Sequence, residues 1–135
     1  MLLGVRFLVG VCSVNAFSYA ADRLSFTEGD TVTVYLQLVD QNLDLPAAGF
    51  QPPYRRYVAA QGATLQVTMD ALESSRQVVR QASRPFPLDG SIWSFQVSAS
   101  DRLLGTVTLR LQLSEGGSVT NGVVSGGLAV QPKGI

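Results

Sequence analysis

The chain has 135 residues, ten Lys and Arg against ten Asp and Glu, and no histidine. This length suits one ordinary domain, and zero net charge removes the broad positive field with which proteins hold nucleic acid or an anionic membrane. Without histidine the chain lacks the commonest general base and metal ligand, while 46% hydrophobic residues exclude global disorder. Only 15% of the residues are charged, so we expect part of the surface to be covered by a partner.

The first twenty residues have some features of a secretory signal. An apolar stretch covers residues 7–14, and Ser18 and Ala20 satisfy the small-residue rule for a cleavage site. Arg6, however, lies inside the apolar sequence instead of ahead of it, as a signal peptide would require, and Gly4 and Gly10 interrupt the apolar run. The apolar stretch is also shorter than the ~20 residues that a membrane-spanning helix needs.

The same N-terminal region alternates in the manner of a strand. Val5, Phe7, Val9 and Val11 fall on one face at a period of two residues. We therefore interpret residues 1–22 as an N-terminal arm or strand, followed by one β-sandwich domain over residues 23–135.

Period-two alternation recurs along the rest of the chain. It predicts strands over residues 31–39, 63–70, 93–99 and 106–113, and a last strand in which Val124, Leu128 and Val130 share one side. A more polar stretch over residues 76–83 predicts an edge strand.

Turn-forming residues separate these segments. Gly29-Asp30 precedes the second strand, Asp89-Gly90 precedes the strand of Trp93, and Gly116-Gly117 forms the turn of a closing hairpin. About seven short strands with such breaks predict an antiparallel β-sandwich, with Trp93 as its core aromatic residue. Gly126-Gly127 lies inside a strand pattern, which indicates a bulge or a close backbone contact.

The connection over residues 40–61 is unusually long and has no regular pattern. Its centre reads Tyr54-Arg55-Arg56-Tyr57 after two prolines, and Tyr and Arg are concentrated at protein interfaces. Two interpretations remain open: a docking loop for a partner, or a surface loop whose Tyr rings cover one end of the sandwich.

Residues with catalytic or metal-binding spacing are not found. Cys12 is the only cysteine, which leaves it without a disulfide partner in the chain and, since there is no histidine, without the usual base. The acidic residues border turns, where local hydrogen bonding accounts for them. We therefore predict no enzyme activity, no cofactor and no metal.

Three arginines, Arg76, Arg80 and Arg84, follow at intervals of four residues. On a strand this even spacing places them on one face. They form a modest cationic strip that could pair with acidic neighbours or with a partner, and zero net charge makes nucleic acid a poor candidate.

Short motifs at the strand starts resemble small structural proteins of tailed-bacteriophage virions. They are Phe26-Thr27-Glu28-Gly29-Asp30-Thr31, Gly62-Ala63-Thr64-Leu65, Ser91-Ile92-Trp93 and Gly105-Thr106-Val107-Thr108-Leu109. The nearest likeness is to the N-terminal domains of phage baseplate upper proteins. The resemblance implies an all-β, immunoglobulin-like antiparallel β-sandwich, here with an extended N-terminal arm, and a virion location.

The resulting functional prediction is a non-enzymatic virion protein of the tail, baseplate or fibre-attachment region. We expect it to bind copies of itself, as a homo-oligomer, and other virion proteins. The arm would pair with a sheet edge of its own sandwich or of a neighbour through Val5, Phe7, Val9 and Val11. Docking on another virion protein would involve Tyr54, Arg55, Arg56 and Tyr57.

Two alternatives stay open. One is a capsid decoration protein of a phage head, which would use the same fold. The other is a secreted or periplasmic adhesion module, which requires residues 1–20 to be a cleaved signal.

Overall fold

The alternating segments form ten β-strands among residues 3–9, 19–21, 23–40, 55–86 and 90–133, which are the residues that the computed structural model describes. A short 3₁₀ turn (Ala99–Asp101) precedes the ninth strand. In chain order the strands are β1 (Leu3–Val9), β2 (Tyr19–Ala21), β3 (Leu24–Thr27), β4 (Val32–Asp40), β5 (Arg55–Arg56), β6 (Thr64–Ala71), β7 (Arg76–Ala82), β8 (Ile92–Val97), β9 (Gly105–Glu115) and β10 (Ser118–Gln131).

The first sheet contains β1, β2, β4, β5 and β8. β1 runs antiparallel to β4, from the pair Leu3 and Asp40 to the pair Leu8 and Tyr35. β2 pairs with the other side of β1. On the far side of β4, β8 pairs with residues 32–37 and β5 with residues 39–40. Residues 3–9 are therefore an inner strand of the first sheet, paired with the chain's own sandwich.

The second sheet has the strand order β3-β10-β9-β6-β7. As predicted, β9 and β10 form a closing hairpin and β7 is an edge strand. The pairing of β4 with β8 repeats that of strands B and E in immunoglobulin domains, and the order β6-β9-β10 repeats that of strands C, F and G. The predicted all-β sandwich is confirmed. Within this sandwich one strand pair is parallel, because β3 lies alongside β10 in the same direction.

The core lies between the two sheets and consists of their inward side chains. Trp93 is 2% exposed and Phe7 is fully buried, so the prediction for Trp93 is confirmed. The inner residues from both sheets include Val34, Leu36, Leu38, Leu65, Val67, Met69, Val107, Leu109, Leu111 and Leu128. Burying such aliphatic side chains contributes about 1.5–3 kcal/mol each.

Two glycines let β10 pass closely under β1. A Cβ atom on Gly122 would lie 2.5 Å from the Leu3 carbonyl oxygen, and one on Gly127 would lie 3.2 Å from Cζ of Phe7. Between its pairings at Val124 and Leu128, β10 advances four residues while β9 advances two. The predicted bulge at Gly126-Gly127 is therefore present, and the Phe7 ring packs where a side chain at position 127 would lie.

Two arginines of the cationic strip, Arg76 and Arg80, bind Asp101 of the 3₁₀ turn at the edge strand β7. Arg80 forms an ion pair with Asp101, which is 6% exposed, and Nε of Arg76 donates to the Asp101 backbone oxygen at 3.3 Å. The other carboxylate oxygen of Asp101 accepts from the Ser98 backbone N–H at 2.9 Å. Inward charges of this kind protect an edge strand from pairing with another chain.

Candidate docking site

Residues 55–60, called the Tyr57 segment below, are the last part of the long connection and lie at one end of the sandwich. Its first two residues form β5, in which Arg55 pairs with Asp40 and Arg56 with Val39. The Tyr57 backbone N–H then donates to the Leu38 carbonyl oxygen at 2.7 Å. The main chain of the segment is thus fixed along the end of β4.

One carboxylate holds the segment at two further points. The Tyr57 hydroxyl donates to Oε1 of Glu115, and the Ala60 backbone N–H donates to Oε2 at 2.8 Å. Glu115 is the last residue of β9, directly before the turn into β10. These bonds connect the Tyr57 segment to the hairpin of the second sheet.

The protonation states of this pair reinforce each other. The hydrogen bond to Glu115, then burial and the negative charges of Glu115 and Asp40, raise the pKa of Tyr57 above its ordinary value. The hydrogen bond from Tyr57, then that from the Ala60 N–H, lower the pKa of Glu115, and the Arg84 charge adds to this while burial opposes it. At neutral pH the phenol is therefore the donor and the carboxylate is charged.

Arg84 fixes the other side of the segment. Its Nη2 donates to the Ala60 carbonyl oxygen at 2.7 Å, and its guanidinium carbon lies 4.5 Å from the centroid of the Trp93 ring. Cation–π contacts of this geometry contribute about 0.5–2 kcal/mol.

Between these fixed points the segment presents an apolar side chain to solvent. Val58 is 56% exposed, whereas the next residue, Ala59, is 4% exposed and belongs to the core. Gly90 makes room for Val58, because a Cβ atom there would lie 3.1 Å from the Val58 Cγ1 atom. An exposed apolar group on a rigid backbone can be buried by a partner with little loss of conformational entropy.

The eight predicted binding residues are not all placed together. Val5 and Phe7 lie in the core, and Val9 ends β1 with its backbone opposite Tyr19. Their role in binding a partner stays a prediction. Val11 and Tyr54 lie outside the described residues.

The structure describes the backbones of Arg55 and Arg56, and it places Tyr57 against the core. Tyr57 therefore helps to cover one end of the sandwich, as the second interpretation of this loop proposed. Docking on a partner stays a prediction for this loop, and the exposed Val58 next to Tyr57 offers an apolar side chain for it.

Sequence reasoning missed Glu115 and Arg84 as partners of this segment. Glu115 directly precedes the Gly116-Gly117 turn, and its hydrogen bond to Tyr57 spans 58 positions. The spacing of Arg84 places it in the cationic strip, but its guanidinium donates a hydrogen bond to Ala60, 24 positions away. No local sequence pattern predicts contacts between residues that are so far apart in the chain.

Comparison with known proteins gives no assignment. No family model matches the chain, and no curated protein matches it. Within the described residues, no group of three or more Cys, Asp or Glu side chains is placed to hold a metal ion. The same part of the chain contains no helix that is long and apolar enough to span a membrane.

Proposed function

We propose that this chain is a non-enzymatic structural subunit of a tailed-bacteriophage virion, located in the tail, baseplate or fibre-attachment region. The resemblance rests on four motifs at strand starts, and all four lie at such positions. In Ser91-Ile92-Trp93, Ile92 is the first residue of β8. The Gly29-Asp30 turn leads into β4, the Gly62-Ala63 turn leads into β6, and Gly105 opens β9. The all-β sandwich fits the expected architecture.

The observation that carries the assembly role is the rigid presentation of Val58. The side chain is 56% exposed, and the bonds from Tyr57, Ala60 and Arg84 hold the backbone on both sides of it. Such a site suits docking on a neighbouring virion protein. Because the Tyr57 segment is already fixed, binding does not cost the conformational entropy of ordering a loop.

Strand addition takes a defined form in this proposal. β1 fills an inner position between β2 and β4 of its own sheet. A neighbouring copy would receive it only by exchange of identical strands, which is a known route to oligomers.

Two alternative functions use the same fold. A capsid decoration protein would place the Tyr57 segment against a head protein. An exported adhesion module would lack residues 1–20 in its mature form, and therefore all of β1 and the first two residues of β2.

The test is quantitative mass spectrometry of purified virus particles that carry the gene for this chain. We expect full-length chain in fixed ratio to known structural proteins, and immunogold labelling at the tail. Labelling of the head would favour the decoration protein instead. Absence from particles, or an exported form without residues 1–20, would overturn the virion proposal.

A variant pair tests the docking site in the same particles. Val58→Asp is expected to lower incorporation by at least about tenfold, because a charge would be buried at the contact. Leu72→Asp is the matched control, because Leu72 is an apolar residue that is 82% exposed in the turn between β6 and β7. This turn follows the end of β6, whereas the Tyr57 segment precedes the start of β6. Equal incorporation of the two variants would contradict the assignment of Val58 as a docking residue.

A further inference from the structure

The outer face of the second sheet is a broad exposed surface of uncharged polar residues. We call the outward positions of β6, β7, β9 and β10 the amide face, because the strand registers align four carboxamides across it. Its residues are Thr64, Gln66, Thr68, Asp70, Gln77, Val79, Gln81, Thr108, Arg110, Gln112, Ser114, Val119, Asn121 and Val123.

Charge is scarce on this face. Asp70 and Arg110 are the ionisable residues among those positions, and Nε of Arg110 lies 3.6 Å from Oδ2 of Asp70. About a quarter of the residues of an ordinary soluble domain are charged. Depletion of charged residues is the compositional mark of interface centres.

Apolar side chains add to this character. Val79 is 50% exposed, Val119 is 54% exposed and Val123 is 56% exposed. Val79 lies on the edge strand β7 and Val123 on β10, so these two valines flank the face on opposite sides.

The rows across the sheet have a symmetric order of residue types. One row reads Gln81, Gln66, Gln112 and Asn121 from β7 to β10. The row next to it reads Val79, Thr68, Arg110 and Val123. Each row is therefore similar in both directions, with amides throughout the first and valines at both ends of the second.

We propose that the amide face binds the same face of a second copy of this chain, about a two-fold axis that runs parallel to the strands between β6 and β9. This axis places β6 opposite β9 of the second copy, and β7 opposite β10. Amides then face amides, because a carboxamide both donates and accepts hydrogen bonds. Val79 faces Val123 of the second copy, and Thr68 faces Arg110.

The charges complement each other in the same arrangement. Asp70 follows Thr68 by two residues on β6, so it lies one row from Arg110 of the second copy. Each carboxylate would have a guanidinium on its own sheet and another on the facing sheet. A two-fold interface must be self-complementary in this sense.

The available area sets the strength of the contact. Four strands about 4.8 Å apart and four rows about 7 Å apart cover about 500 Å² on each copy, or about 1,000 Å² in total. That is the lower limit for specific interfaces, so we expect association at about micromolar concentrations. In a particle, repetition of weak contacts would strengthen this pairing by avidity.

This inference rests on the proposed function, since it names a copy of the chain as one partner of the structural subunit. The rows favour a second copy over a glycan, because the fourteen residues that define the amide face include no aromatic ring for a sugar to stack on. They also favour it over an unrelated charged protein, since the face carries one charge of each sign.

The test is sedimentation velocity of the full-length protein up to about 100 µM, a range that covers micromolar association. Wild type is expected to shift toward twice the monomer mass. In Gln66→Lys/Gln112→Lys, lysines face lysines across the axis, so the mass is expected to stay at that of the monomer. In Gln66→Glu/Gln112→Lys, opposite charges face each other and the doubled mass is expected to return.

Thr33→Lys/Gln96→Lys is the control, because it adds the same two charges to exposed residues that pair on the outer face of the first sheet. It is expected to associate like wild type, and all variants to melt within a few degrees of it. A monomeric wild type, including one that binds a glycan array through this face, would overturn the inference. So would a doubled mass in the two-lysine variant. Neither result would remove the chain from virus particles, so failure here is distinguishable from failure of the virion proposal.

Discussion

The outer faces of the two sheets differ sharply. On the first sheet, Leu8, Val39 and Ile92 point away from the central core, yet they are 4%, 1% and 1% exposed. On the second sheet, the outward Val79 and Val123 are about half exposed. The chain thus buries apolar residues on both faces of one sheet and only on the inner face of the other.

The sequences of the strands explain this difference. β1, β4 and β8 contain neighbouring apolar residues, such as Phe7-Leu8, Leu38-Val39 and Ile92-Trp93, which point to opposite faces. β6 and β9 alternate almost strictly between apolar and polar residues. A sheet with one polar face is free to meet solvent or a partner on that face.

The largest effect is expected from truncating an outward residue of the first sheet. Ile92→Ala should lower the free energy of unfolding by about 2–5 kcal/mol, because it leaves a cavity at a buried site. Val123→Ala, the counterpart on the amide face, should change it by less than about 0.5 kcal/mol. Urea unfolding of dilute, monomeric protein measures both, and similar losses would remove the distinction between the faces.

A second prediction concerns the contact of β1 with β10. Gly122→Ala should destabilise the protein by about 1–3 kcal/mol, since the new methyl group would overlap the Leu3 carbonyl oxygen. Asn121→Ala, one residue earlier and exposed, is the control and should have little effect on the monomer. Thermal unfolding by circular dichroism compares the two, and an unchanged melting temperature for Gly122→Ala would show that β1 does not lie there.

The Tyr57–Glu115 contact is expected to contribute about 1 kcal/mol at neutral pH. Folding lowers the pKa of Glu115, so its charge stabilises the folded state above the ordinary carboxyl pKa. This stabilisation is lost as the pH falls from that value through the lowered pKa of the folded state. Folding raises the pKa of Tyr57, so that contribution exists below the ordinary phenol pKa and is lost at higher pH.

Tyr57→Phe tests this pH dependence. The difference in unfolding free energy between wild type and variant should be largest near neutral pH and should shrink toward acidic and strongly alkaline pH. Urea titrations at a series of pH values measure it. A difference that is constant with pH would contradict a charged Glu115 acceptor.

The smallest effect on stability is expected at the exposed ion pair of the amide face. Asp70→Asn should change the unfolding free energy of the monomer by less than about 0.5 kcal/mol, as is usual for surface pairs. It should nevertheless weaken self-association, most clearly at low salt. Sedimentation at two salt concentrations checks this, and an unaltered association constant would argue against charge pairing between copies.

Sequence periodicity predicted most of the second sheet. The alternation in residues 63–70 and 106–113 gave both the strands and their buried sides, because each has one apolar face. The bulge near Gly126-Gly127 and the edge position of β7 also followed from local patterns. The parallel pairing of β3 with β10 did not, since pairing direction depends on the path of the whole chain.

The first sheet and the candidate site were less predictable. The alternation of Val5 and Phe7 gave a strand, but no local pattern tells whether its partner is β4 of the same chain or a neighbour's edge. Likewise, nothing near Tyr57 identifies Glu115 as its acceptor. The amide face is not predictable from local sequence, because its rows exist only once four separate strands are in register.

Chemical cross-linking of two single-cysteine variants tests the central claim most directly. The variants are Val79→Cys and Val123→Cys, each with Cys12→Ser, mixed at equal concentration and treated with a thiol cross-linker that matches the roughly 10 Å spacing of packed sheets. The two-fold pairing of amide faces predicts a cross-linked dimer containing one chain of each variant, and little dimer from either variant alone. Equal yields in the mixture and in the separate variants, or no cross-linked dimer, would contradict it.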